Sequence, residues 1–460
     1  MKRSLILISV LSAAAFIFTL VTSVIASSQA DDIELVELPL YGDPMKAEGI
    51  EMSIDLQMNR HHFWDIKHMP GEDGYTDVDY DHYYLGYSEE STPEPNISID
   101  LFTQGGMSSS HPITREDRME ADGFMLEPAF QMAEEMGPNE TRTETVSLAD
   151  YYEYYPIHID AYDGMTHGIF DYDEGIQEYF KIPVPAEHLS EYTVETDASG
   201  GMTSVNINSV GENDFYLSAV GCVYDDAFYI TMSGYGENGD LLDLTQIKGG
   251  TGIYRLPYEK SPNRQNIKRG LSGEIEVVFP LDLESCEPIH LVTSPDKSLI
   301  YLYAIENGHS VLTVIDTETF EQKQKLDLGK FDWNFNIIQK DDMILLKHYG
   351  DDMHLILIKR SEDDVHEVVI DTDLSACEDK IPLDYHTYTA FDYDGERLAV
   401  MINQNYWWSC SCYLVVIEDN VPVYAGDYSV NPTENSNNYQ YQDRLRYSSD
   451  DPHFIGVEIK

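Results

Sequence analysis

The chain has 460 residues, 42% of them hydrophobic, with 83 Asp+Glu against 28 Lys+Arg and a formal net charge of -55. That length and apolar content can bury a large core, as one repeat-built domain or as two or three ordinary ones. The charge argues against nucleic acid and anionic membrane surfaces as partners and favours cations, calcium included. Such acidity also suits concentrated salt, and its plainest reading is a well-solvated extracellular surface.

The first elements are an address. Lys2 and Arg3 precede an uncharged apolar run from Leu5 to Ala26, and Val24-Ile25-Ala26 and Ser28-Gln29-Ala30 both fit a signal-peptidase site. The run also reaches the roughly 20 residues that a membrane-spanning helix needs. Residues 1–30 are therefore read as a signal peptide or an N-terminal anchor, with the acidic bulk outside the cytoplasm. No Cys follows the run, so a lipoprotein anchor does not fit.

From there to residue 215 the strand signals are irregular. Strands are expected at Ile50–Leu56, Ile97–Phe102, Ile157–Tyr162, Glu178–Val184, Tyr192–Thr196 and Thr203–Val210, with turn signals between them. A helix is expected within residues 117–136, interrupted by Gly123 and Pro128. "RHHFWDIKH" places His61, His62, Asp65 and His68 together, but at no zinc-motif spacing. "GEDGYTDVDYDHYY" carries Asp77, Asp79 and Asp81 at alternate positions. An EF-hand starting there would need glycine and glutamate where His82 and Ser88 stand, so an irregular calcium site or a solvated acidic loop remains. Asp163, Asp171, Asp173 and Glu174 make a similar acidic stretch.

From residue 216 onward a repeat emerges. Leu299–Ala304 and Val311–Ile315 are apolar runs joined by Asn307-Gly308, the strongest short hairpin signal, since both residues accept positive φ. Runs apolar on both faces belong to strands covered from both sides. "EQKQKLDL" then alternates, with Lys323, Lys325 and Asp327 on one face, as an edge strand guarded by lysines would. Comparable triplets occur at Met343–His348, Met353–Lys359 and Val365–Ile370, and at Arg397–Ile402, Tyr406–Ile417 and Val421–Ala425. Acidic turns open the units at Asp226, Asp296, Asp341 and Asp394, at spacings of 70, 45 and 53 residues. The first spacing is lengthened by an insert around 235–272. A period of roughly 40–50 residues with three or four strands per unit is that of β-propeller blades.

"SPDKSLIYLY", "FDYDGERLAVM" and "VLTVIDTETFEQKQKLDL" resemble the strand openings, middle strands and outer strands of TolB-like and WD-repeat-like propellers over residues 220–430. The resemblance implies an all-β fold, a propeller of about seven four-stranded blades following the leader, and says little of activity. Residues 31–460 are then one propeller, irregular over 31–215 and regular over 216–460. The last strand, His453–Ile459, is expected to pair with a strand in 48–58 and so remove a free sheet edge.

Sites are scarce in the sequence. Five cysteines are too few for a disulfide scaffold; Cys410 and Cys412 share a strand face and read as small buried side chains. There is no G-x-S-x-G elbow, phosphate-cradling glycine loop or sialidase-type Asp-box. Carboxylate pairs suited to glycoside hydrolysis are too easily found among 83 acidic residues to mean anything. "YRLPYEKSPNRQNIKRG" is the one basic stretch, and Arg255, Arg264, Lys268 and Arg269 are its candidate docking residues for an anionic partner. Trp407-Trp408 and the 33 tyrosines suit either sugar stacking or packing between sheets. The expected function is an extracytoplasmic, monomeric, non-catalytic binding or sensor module for a protein or glycan ligand, with no cofactor unless calcium. The alternative is a propeller enzyme acting on extracellular glycan through a carboxylate acid and base.

Overall fold

Alternating apolar strands and tight acidic turns fold here into antiparallel sheets of four. The computed structural model describes residues 16–17, 33–58, 62–71, 73–82, 96–101, 105–115, 125–162, 170, 174–210, 215–236, 241–258, 270–330, 335–348, 353–378, 381, 389–403, 411–432 and 453–460. Two bodies form, one from the chain up to Ser88 together with Asn334 onward, the other from Glu89 to Trp333.

In the mid-chain body, Cys286–Thr293, Leu299–Glu306, His309–Asp316 and Gln322–Asp327 pair in that order as one meander. Asn307 and Gly308 take φ of 51° and 78°, so the two-residue hairpin turn matches the right-handed strand twist. The two middle strands are buried almost throughout, and the outermost alternates with its lysines exposed, as expected. A second meander runs Phe215–Tyr224, Ala227–Gly236, Gly252–Pro257 and Glu276–Pro280. The third sheet is not a simple meander: Gly105–Ser108, Met202–Ser209, Leu189–Thr196 and Thr141–Ser147 lie side by side in that order. Asn96–Leu101 pairs with Ile157–Tyr162 alone among the described residues.

The body built from the chain ends holds the meander Phe335–Lys340, Met343–His348, His354–Arg360 and His366–Asp373. It also holds a meander of Thr389–Tyr393, Arg397–Asn403, Ser411–Glu418 and Val421–Pro432. The N-terminal strand Ile33–Gly42 joins that last sheet as a fifth member beside Val421–Pro432. In return, His453–Ile459 pairs with Ile50–Met58, ahead of His62–Met69 and Tyr75–His82. The expected terminal pairing is present, and the exchange is reciprocal: each end of the chain closes a sheet made by the other.

The four acidic turns fall at one structural position. Asp226, Asp296, Asp341 and Asp394 each lie between the first and second strands of their sheet. The Asp296 carboxylate accepts from the Ser294 and Ser298 hydroxyls, and that of Asp394 from the Glu396 and Arg397 N–H groups.

Some expectations fail for physical reasons. Residues 178–184 are not a strand: a helix, Glu174–Tyr179, takes the first of them, and only Pro183 bridges, to Tyr154. Pro183 and Pro185 lack the N–H groups a ladder needs. Pro128 does not interrupt its helix but starts it, since Glu127–Glu135 has proline in its first turn, where a missing N–H costs nothing. The expected loop at Asp77, Asp79 and Asp81 is the edge strand Tyr75–His82. No helix among the described residues is long and apolar enough to cross a membrane, and the Leu5–Ala26 run lies almost wholly outside them.

Candidate functional site

The predicted site residues are scattered. Asp77 and Asp79 are exposed on the outermost strand of their sheet, opposite Lys67 and Asp65. Asp81 pairs with Phe63. Among the described residues no three His, Cys, Asp or Glu gather to hold a metal ion. Arg255 is engaged within its sheet, where its guanidinium donates to the Glu276 carboxylate across the strands at 3.0 Å. Arg264, Lys268 and Arg269 lie outside the described residues, as do Asp163, Asp171, Asp173, Trp407, Trp408 and Cys410. The other four cysteines are free thiols.

A different place has the form of a site. It lies inside the mid-chain body, where the Phe215–Tyr224 sheet packs on the Cys286–Thr293 sheet. Over most of this interface the contact is apolar: Cys222, Ala227, Tyr229 and Ile253 pack with Cys286, Leu291, Ile300, Leu302 and Ile315. Toward one end the composition changes. Register sets Ser218 opposite Ser233 and Tyr216 opposite Tyr235, and the two-residue period puts all four on one face with Tyr229. Serines fill less volume than the residues packed further along, and the sheets leave a groove of about 450 Å³.

The groove is lined by Ser233, Tyr235 and Leu241 on one side and by Leu283–Glu287, Ile305 and the Asn307–Gly308 hairpin on the other. Its floor is braced by local hydrogen bonds. The Asn307 N–H donates to the Ser285 carbonyl at 3.2 Å, and the Asp282 carboxylate accepts from the Ser285 hydroxyl at 2.9 Å and the Glu284 N–H at 3.2 Å. Tyr235 meets Tyr216 edge to face with ring centres 4.5 Å apart, and Tyr216 is 48% exposed. The Tyr235 hydroxyl donates to Glu287 Oε1 at 3.3 Å, longer than the usual O–H···O bond. Burial raises the Tyr235 phenol above its ordinary range, opposed by the Ser218 and Ser233 hydroxyls beside it.

Two details bear on chemistry. Ser233 is 4% exposed, and its Oγ, near the Tyr235 phenol, has no bond of hydrogen-bonding geometry among the described residues. Buried hydroxyls are rarely left so, because an unmade bond costs about 1–3 kcal/mol. Cys286 is also buried, and burial pushes its thiol up to about 12, with Glu306 reinforcing and Lys325 opposing; it is not a nucleophile at neutral pH. No histidine, lysine or arginine is among the described residues lining the groove. A smaller cavity of about 330 Å³, bordered by Glu178, Tyr179, Lys248 and Glu274, carries both signs of charge.

None of the groove residues was singled out from the sequence as part of a site; Asn307-Gly308 was read only as a hairpin turn. A signal was there: in "AFYITMSGYG" one face of an otherwise apolar strand turns to Thr231, Ser233 and Tyr235, a row of hydroxyls at period two.

No protein-family model and no curated protein matches the chain. Solved structures similar to it include the periplasmic gluconolactonase PpgL of Pseudomonas aeruginosa, at 10% identity over 83% of this chain and 100% of that one, with a TM-score of 0.26. TolB from Acinetobacter baumannii matches at 11% identity over 82% and 78%, TM-score 0.20. The β-propeller domain of Swd1 from Myceliophteria thermophila matches at 10% over 52% and 82%, TM-score 0.23. At such TM-scores the likenesses carry no argument about this chain.

Proposed function

We propose that this chain is an extracytoplasmic binding module of the β-propeller kind, exported or anchored by residues 1–30, which holds a polar ligand in the groove between Tyr235 and Glu287. The observation that carries the reading is the groove itself: a pocket-sized opening, within the roughly 300–1,000 Å³ of small-molecule sites, with a few convergent polar groups in an otherwise apolar interface. The repeated four-stranded meanders and the reciprocal pairing of the chain ends support the propeller arrangement. The leader, with its basic end and small-residue cleavage sites, supports the location. The lining favours holding over reacting, since its thiol is kept protonated and it offers no basic side chain among the described residues.

Thermal melting against a panel of neutral, acidic and amino sugars tests this. A ligand present at 100 times its Kd should add about 2.7 kcal/mol to stability and raise Tm by several degrees, and Tyr235→Ala should abolish the shift. A panel without any shift, or a shift indifferent to Tyr235→Ala, overturns the assignment of the groove. A parallel melt with and without chelator decides whether calcium belongs to the fold.

One feature favours the enzymatic alternative: Glu284 and Glu287 line the same groove, and glycosidases use paired carboxylates. Release of reducing sugar from any panel glycan, lost in Glu287→Gln, would establish it.

A further inference from the structure

We propose that the groove takes a hydroxylated cation, an amino sugar with its amine free, and that Glu287 is its anchor. This rests on the assignment of the groove as a ligand site and names the ligand's chemistry. Three observations converge on it.

The first is charge. Glu284 and Glu287 line the groove, and neither takes part in an ion pair among the described residues. Glu306, next along the same hairpin, is already neutralised by Lys325 at 2.5 Å. An unpaired carboxylate on an open surface costs little, but Glu287 is half-buried, where the missing counter-charge is felt more strongly. Its one hydrogen bond among the described residues, from Tyr235, is long and easily exchanged for a charged donor.

The second is the Ser233 hydroxyl, buried on the groove wall beside the Tyr235 phenol and, among the described residues, without a bond of hydrogen-bonding geometry. It is placed to bond a ligand hydroxyl, which a simple alkylamine lacks. The third is the tyrosine pair. Tyr235 lines the groove and meets Tyr216, 48% exposed, edge to face; aromatic rings of this kind suit both a sugar ring and a cation over the ring. The net charge of -55 would draw such a ligand in and repel anionic sugars.

Isothermal titration of the full-length protein with a glucosamine disaccharide and with its N-acetylated counterpart tests this, below the amine's pKa and at two salt concentrations. The free amine should bind about tenfold or more tightly than the acetylated form, and less tightly in high salt, as a charge-assisted bond to a carboxylate implies. Glu287→Gln should erase that preference and leave the weaker binding of the neutral sugar in place. Ser233→Ala should weaken both sugars, and putrescine should bind no better to the wild type than to Ser233→Ala. Equal binding of the two disaccharides, with both lost in Tyr235→Ala, sinks the cation and leaves the groove as a neutral-sugar site. Failure of both, together with a silent sugar panel, sinks the groove. Tm values for the variants within a degree or two of the parent would show that losses of binding are not losses of folding.

Discussion

Two polar clusters among the described residues are built from tyrosines and a glutamate at sheet interfaces. In the groove, Tyr235, Glu287 and Ser233 are loosely joined, by one long hydrogen bond and a hydroxyl left over. In the body built from the chain ends, Tyr424 and Tyr428 stand on one face of Val421–Pro432, their hydroxyls 2.9 Å apart and each 3.2 Å from Glu37 Oε1 on the N-terminal strand. Two phenolic protons serve three oxygens there. Tyr424 reaches Tyr428 by lying across Gly426, where a side chain would collide with its hydroxyl. His68, from the neighbouring sheet, meets the Tyr428 ring at 5.8 Å and shares a hydrogen bond with Thr76 at 2.9 Å. The two differ in where their hydrogen bonds go. The Glu37 triangle spends its hydrogen bonds internally and ties the N-terminal strand to the last sheet, whereas the groove keeps some unspent.

The sharpest way to break this contrast is at Gly426. Gly426→Val drives a branched side chain into the Tyr424 ring and should cost about 3 kcal/mol, read as a lower urea midpoint at unchanged slope. A loss below about 1 kcal/mol would mean that the tyrosine lid moves freely. Next comes the paired comparison of hydroxyl deletions. Tyr428→Phe should cost about 1–2 kcal/mol, because Tyr428 is fully buried and its loss leaves the triangle one proton short. Tyr235→Phe should cost under about 0.5 kcal/mol, because that hydroxyl donates one long bond at a partly open site. Equal losses at the two positions would erase the distinction between a closed and an open cluster.

How much of this was legible in the sequence follows the range of the forces involved. Local rules were readable: Asn307-Gly308 as a hairpin, the lysines of Gln322–Asp327 as an edge, and the acidic turns at one repeating position. Where polar composition met strand geometry, reading failed. Tyr75–His82 looked like a loop because aspartate is rare in strands, yet on an outermost strand the Asp77 and Asp79 carboxylates stay in water. Phe180, Ile182 and Val184 alternate as a strand would and are buried, but Pro183 among them and Pro185 just beyond forbid the ladder. The groove depends on pairings distant in sequence. The hydroxyl row of Thr231, Ser233 and Tyr235 was a local hint, but that Tyr235 reaches Glu287 on another sheet follows from packing rather than from any local pattern. The Glu37 triangle was hidden likewise, since it joins residues near opposite ends of the chain.

The smallest expected effect distinguishes the closed cluster by its proton. Burial lowers the His68 imidazole below its usual range, and the Glu37 carboxylate opposes this only in part. The folded state therefore favours the neutral ring, while the unfolded chain takes up a proton near pH 6.5. Stability from this residue is full above about pH 6.5 and declines as pH falls from there toward the lowered folded value. Carboxylate protonation in a chain of net charge -55 acts in the same pH range with the opposite sign, by relieving self-repulsion. The His68 contribution must accordingly be read as a difference: wild type and His68→Gln followed by urea unfolding at pH 7.5 and pH 5. The wild type should lose more stability than the variant over that interval. Parallel profiles would mean that His68 titrates alike in both states, and that the packing between Tyr428 and the neighbouring sheet opens readily enough to hydrate it.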